Sequence, residues 1–109
     1  MRGRALVLAF VGALAVGVSG AGAAVTRDVS AQNQHFSPQR TIALKDDTVR
    51  WTNNDSGSIF HTVDPWITTP FGPGAQVTHQ FMSTGTFLYH CHVESHMMAG
   101  MIGYYKVTR

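Results

Sequence analysis

Beyond residue 24 the chain carries no useful stretch with apolar residues at helical spacing. Apolar and polar positions alternate instead in short bursts, each closed by turn-forming residues, which is the signature of β-strands. The cleanest burst runs from Thr48 to Asn53, with Val49 and Trp51 on one face and Arg50 and Thr52 on the other. Strands are likewise expected from Thr26 to Ala31, Thr41 to Leu44, Ile59 to Val63, Ala75 to Met82, Thr86 to His90 and Met101 to Thr108. Lys45-Asp46-Asp47, Asn53 to Ser58 and Ser83-Thr84-Gly85 read as turns. Pro65 to Gly74 holds three of the four prolines and reads as a loop. No breaker follows His90, so that strand should run into Cys91, with His92 to Gly100 forming a compact loop. About seven short strands at this spacing predict an all-β domain, a β-sandwich or small barrel.

The first 24 residues follow a different pattern. Arg2 and Arg4 precede an apolar run from Ala5 to Val18, and Ala21 and Ala23 form the small-residue pair that signal peptidase accepts. A span needs about 20 apolar residues, and this run is shorter. Residues 1–24 are therefore expected to be a secretory signal rather than an anchor, leaving residues 25–109 as one exported domain, periplasmic or extracellular, with no membrane span. About 85 residues is a marginal size for an unaided core.

Composition narrows the function. The formal charge of +2 includes Arg2 and Arg4; without them six Lys/Arg face six Asp/Glu. A chain so balanced lacks the basic patch that nucleic acid requires, and no nucleic-acid partner is expected. One cysteine makes neither an internal disulfide nor a Cys-paired zinc ribbon. A lone thiol in an oxidising compartment is a liability unless something occupies it. A metal held through that cysteine would both protect it and add binding energy to a small fold.

Six histidines and five methionines are present, and three of each crowd around the cysteine in the segment from Tyr89 to Met101. Thiolate and thioether suit Cu(I), while imidazole suits both oxidation states, so this mixture points to redox-cycling copper. A trigonal His₂Cys site with a weak axial Met needs one histidine from elsewhere, and His61 on the strand from Ile59 to Val63 can supply it. Met97 and Met98 are alternative thioethers, but they follow His96 too closely for an axial position.

The chain resembles the cupredoxins, the blue copper proteins that include plastocyanin, azurin and amicyanin. The resemblance runs from Phe36-Ser37-Pro38 through Thr41 to Asn53, His61 and Gly85-Thr86-Phe87-Leu88-Tyr89 into the cysteine loop. It implies a Greek-key β-sandwich with one type 1 copper ion held by His61, Cys91, His96 and Met101. It further implies transfer of single electrons to a transiently docking redox partner, without an enzymatic reaction. The docking patch is expected around His96, from Met97, Met98, Pro65, Trp66, Pro70 and Phe71. One departure is Thr62, which stands where plastocyanin and azurin carry an asparagine that ties the ligand loop.

His90 and His92 flank the cysteine, and in extended chain their side chains should point away from the pocket that Cys91 faces. The string His-Cys-His-x₃-His-x₄-Met is similar to the last domain of multicopper oxidases, where such flanking histidines bind further copper. That family uses several His-x-His pairs for its cluster, whereas this chain has the single pair His90/His92. The alternative is therefore a nitrite-reductase-like or oxidase-like copper enzyme, active only as an oligomer or with a partner domain, with a second site built from His90 or His92 and His35 or His79. A copper carrier or storage protein, using Met97, Met98 and Met101 for Cu(I), is the other alternative.

Overall fold

The computed structural model describes residues 24–93, 95–96 and 99–109. The expected secretory signal, Glu94, Met97 and Met98 lie outside the described residues, apart from Ala24. Nine strands and no helix are found among them: β1 (Thr26–Gln32), β2 (His35–Ser37), β3 (Arg40–Leu44), β4 (Thr48–Asn53), β5 (His61–Val63), β6 (Ile67–Phe71), β7 (Gln76–Gln80), β8 (Gly85–His90) and β9 (Ile102–Thr108). The two strands beyond expectation are short or irregular. β2 is a three-residue return from β1, and β6 lies inside the segment read as loop. Proline withholds a ladder donor, but β6 pairs only with β5, as an edge, so Pro70 is tolerated there.

The strands form a four-stranded sheet in the order β2-β1-β4-β7, a three-stranded sheet β3-β9-β8 and the β5-β6 pair. β1 runs parallel to β4 and β3 parallel to β9, so the chain passes repeatedly between sheets. Val29, Ala31, Phe36, Val49 and Trp51 from the first sheet meet Ala43, Tyr89, Tyr105 and Val107 from the second in one buried core. This is the all-β sandwich that the alternation predicts.

Aromatic edges lock the core. The Tyr89 ring stands edge-on to Phe36 at 4.7 Å and to Trp51 at 5.4 Å. Tyr89 lies opposite Gly103 in the β8–β9 ladder, and a Cβ at Gly103 would overlap its ring. A glycine is needed there for room. Asp47, expected in an ordinary turn, is 1% exposed and fastens three strand ends together. Its carboxylate accepts from the backbone N–H of Val25 and of Leu44 and from Arg27 Nε, at 3.0, 2.9 and 3.0 Å. The outcome is a rigid frame whose β5 and β8 end side by side.

Candidate metal centre

Two strand ends and one loop build the site. Asp64, next after β5, makes an isolated bridge with His90, the last residue of β8, through Asp64 N–H to His90 O at 2.8 Å. That bridge sets the start of β5 beside the residue after β8 and so brings His61 up to Cys91. The loop beyond Cys91 is closed by its own backbone. His96 N–H donates to Val93 O, Met101 N–H to His96 O and Cys91 N–H to Met101 O, at 3.0, 3.0 and 3.1 Å. Gly100 has φ +89°, which an L side chain rarely adopts, and it turns the chain back into β9.

His61, Cys91 and His96 thereby converge, all buried, with one donor atom from each inside a 4.8 Å span. Cys91 Sγ lies 3.8 Å from His61 Nδ1 and 3.5 Å from His96 Nδ1. A metal with ligand bonds of about 2.3 Å to sulfur and 2.0–2.1 Å to nitrogen separates its donors by roughly 3.6–3.8 Å at tetrahedral to trigonal angles. The two sulfur–nitrogen distances already stand close to that spacing. Both imidazoles present Nδ1 to the sulfur. Met101 is fully buried at the base of the same loop.

Electrostatics favour a charged sulfur. Burial raises the Cys91 thiol, but hydrogen bonds from His61, the Thr62 and Val93 backbone and His96 outweigh it and bring the thiol down to about 6. Thr62 N–H contacts Sγ at 3.4 Å. His61 is raised in turn: burial acts to lower it, and Cys91 and Asp55 more than compensate. The pocket is thus prepared for a thiolate beside imidazole, the form in which cysteine binds metal.

Thr62, next after His61, is buried and meets the cysteine loop through its hydroxyl. Its hydroxyl accepts the His92 backbone N–H at 3.0 Å and lies 3.2 Å from His92 Nδ1, tying β5 to the cysteine loop. The short side chain suffices because the Asp64–His90 bridge has already closed the gap.

The side chains of His90 and His92 are 39% and 47% exposed, whereas Cys91 is fully buried, so they lie on the other side of the strand, as alternation requires. Both turn toward Asp64, which the sequence did not single out: His92 Nδ1 is 2.6 Å and His90 Nε2 3.7 Å from its Oδ2. His79 is engaged elsewhere, stacked on Trp66 at 5.0 Å.

The expected docking patch needs correction. Trp66 packs against the core, with its ring 4.9 Å from Phe81 and 5.9 Å from Tyr89, and Phe71 is 6% exposed beside His61. Each is an aromatic that the core claims before the surface can. Pro65 and Pro70 are exposed as expected, while Met97 and Met98 lie outside the described residues. Ile59 and Phe60, just before His61, are exposed apolar residues, and Ile59 is not in the strand assigned to it.

Known proteins share this architecture. The auracyanin of Roseiflexus castenholzii superposes with a TM-score of 0.63 at 19% identity, covering 81% of this chain and all of its own. A purple cupredoxin from Nitrosopumilus maritimus gives 0.61 at 20% identity, covering 75% of this chain and 99% of its own. A Cu-containing nitrite reductase from Thermus scotoductus SA-01 gives 0.65 at 22% identity and covers 87% of this chain, which spans only 25% of the reductase. These likenesses establish a cupredoxin fold. No curated protein matches in sequence. The multicopper oxidase family profile, however, matches residues 40–109, which include β3 through β9 and every residue of the centre. By that match over most of its length, the chain belongs to the multicopper oxidase family.

Proposed function

We propose that this protein is an exported electron carrier in which His61, Cys91, His96 and, axially, Met101 would hold a single type 1 copper ion. The observation that carries the reading is the buried trio of donors at metal-ligand spacing. One thiolate and two imidazoles are a copper set, and copper bound there supplies one-electron chemistry by alternating between Cu(II) and Cu(I). Zinc accepts the same donors, but a zinc site gains nothing from a buried thioether. The chain's part is to hold the donors still. The Asp64–His90 bridge, the Thr62 tie and the three loop hydrogen bonds give the same cage to both oxidation states. Export is supported by the leader pattern of residues 1–24. A redox partner would dock briefly at the ligand-loop end, beside exposed Ile59 and Phe60, since transient electron-transfer contacts are small.

A second reading has its own support in the two imidazoles turned toward Asp64 beside Cys91. In it the chain is a subunit of an oligomeric copper enzyme that holds further copper at His90 and His92.

Titration of the purified protein with Cu(II), followed in the visible and by metal analysis after desalting, separates these. An intense thiolate-to-copper band saturating at one copper and lost in Cys91→Ser is the result expected of the carrier. Saturation at one copper without the band overturns the type 1 assignment and favours copper carriage or storage. Retention of more than one copper, lost when His90 and His92 are replaced, moves the assignment to the enzyme.

A further inference from the structure

His61 is oriented from outside the metal pocket. Its Nδ1 faces Cys91, and its Nε2 meets Asp55 Oδ2 at 2.6 Å, the distance of a charge-assisted hydrogen bond. Asp55 is itself fixed three ways. Its other oxygen, Oδ1, accepts the Asn33 N–H at 3.1 Å, and its own N–H donates to Asn53 Oδ1 at 2.9 Å. Its side chain is only 9% exposed. Asn53, buried, donates through Nδ2 to Ile59 O and Phe71 O, both at 2.9 Å, which pins the loop on either side of the carboxylate. Asn33 opens the two-residue tip between β1 and β2, where Asn33 and Gln34 have φ of 54° and 63°, the left-handed pair that a tight hairpin requires.

Two donors, His61 Nε2–H and Asn33 N–H, therefore face the two oxygens of one side chain. A carboxylate can accept from both. We infer that Asp55 is the positioning residue of the metal centre: it holds His61 with Nδ1 toward the metal and biases the site toward the oxidised ion. An imidazole that donates to a carboxylate is a stronger base toward its metal, and the gain is larger for a doubly than for a singly charged ion. The carboxylate's charge acts in the same sense. With thiolate and carboxylate both present, Cu(II) makes the cluster neutral, and the added electron leaves it at −1. This inference rests on the copper reading for the redox effect alone. The orientation of His61 holds for any metal the trio binds.

Asp55→Asn keeps the shape and removes the charge, and Asp55→Ala removes both. Asn33 sits at an exposed tip and can turn to water, so the amide keeps its oxygen on His61 and the variant folds. Three quantities are compared with wild type: the ¹⁵N shifts of His61 in the metal-free protein, the affinities for Cu(II), Cu(I) and Zn(II), and the reduction potential. Loss of such an outer partner lowers metal affinity about 10–100-fold. For Asp55→Asn the expected result is that loss for Cu(II), a smaller one for Cu(I), an unchanged visible band, and a raised potential. Each tenfold difference between the two copper states is about 59 mV. Asp55→Ala should in addition shift His61 away from the Nε2–H tautomer. Unchanged potential and affinities in Asp55→Asn overturn the inference. A wild-type protein without the thiolate-to-copper band overturns the carrier reading alone. The inference is then decided by the His61 tautomer and by Zn(II) affinity in the two variants.

Discussion

His61 and His96 present the same atom to the same sulfur, yet they are held by opposite means. His61 opens a β-strand, is fully buried, and has its outer nitrogen taken by a nearly buried carboxylate. His96 sits on a loop at 5% exposure, held through its backbone, and no side chain among the described residues reaches its Nε2. The difference separates two tasks. One ligand belongs to the frame and fixes where the metal is; the other closes the cage from the loop side, which on the carrier reading is where the electron would leave. A site with two ligands of the first kind would be insulated, and one with two of the second kind would relax at every change of oxidation state.

The largest expected effect comes from removing each ligand in the metal-free protein. His61→Ala leaves Asp55 almost buried beside an empty space, and stranding one partner of a buried ion pair costs about 3–5 kcal/mol. For a domain this small, 1 kcal/mol is worth about 4–8 °C in Tm. His61→Ala should therefore melt more than about 10 °C below wild type. His96→Ala, which takes from Cys91 one of several hydrogen bonds and leaves no carboxylate stranded, should stay within a few degrees. Both lose the visible band, so metal binding does not distinguish them while apo stability does. His61→Ala/Asp55→Ala should recover part of the loss, because the orphaned charge is gone. Equal melting of the two single variants by calorimetry would erase the distinction between frame ligand and closing ligand.

A smaller effect is expected at Thr62, where the frame is tied to the loop. Thr62→Val keeps the volume, removes the acceptor of the His92 N–H, and should cost about 1–3 kcal/mol. Copper release to a chelator should quicken as the loop opens, and Thr62→Ser, which retains the hydroxyl, should restore the wild-type rate. An unchanged release rate in Thr62→Val would mean that the Asp64–His90 bridge holds the junction unaided.

How much of this was legible in the sequence follows the range of each interaction. Strand β4 could be read to its ends because alternation is local: Thr48 to Asn53 states its own inner and outer face. His61, Cys91 and His96 were legible as a group because donor type and spacing survive without coordinates. The carboxylates were not. Asp47, Asp55 and Asp64 each lie in a segment that reads as turn or loop, and nothing local tells an aspartate in water from one bonded to backbone, guanidinium or imidazole donors. Each takes at least one partner from 22 or more residues away, as Asp47 does with Val25, Asp55 with Asn33 and Asp64 with His92. Trp66 and Phe71 misled for the related reason that a proline-rich loop looks exposed until the core reaches up to cover its aromatics.

The smallest effect tests whether the carboxylate, and not burial as such, is what makes an internal imidazole hospitable to charge. His79 is the control. It is stacked on Trp66 at 5.0 Å and edge-on to Phe81 at 4.9 Å, no carboxylate among the described residues pairs with it, and burial lowers it from its usual 6.5. His61, more enclosed, is raised because Asp55 and Cys91 face it. A histidine lowered in the folded state takes up its proton more readily when unfolded. Its contribution is therefore fully present above pH 6.5 and is withdrawn as the pH falls below that value. In His79→Gln that share of the acid-side slope should vanish, leaving the two proteins closer in relative stability at pH 5 than at pH 8. Urea unfolding of the metal-free forms across this range measures it. A difference between them that does not change with pH would mean that the Trp66 stack accommodates imidazolium as well as imidazole, and that an aromatic face can stand in for the carboxylate that His61 has.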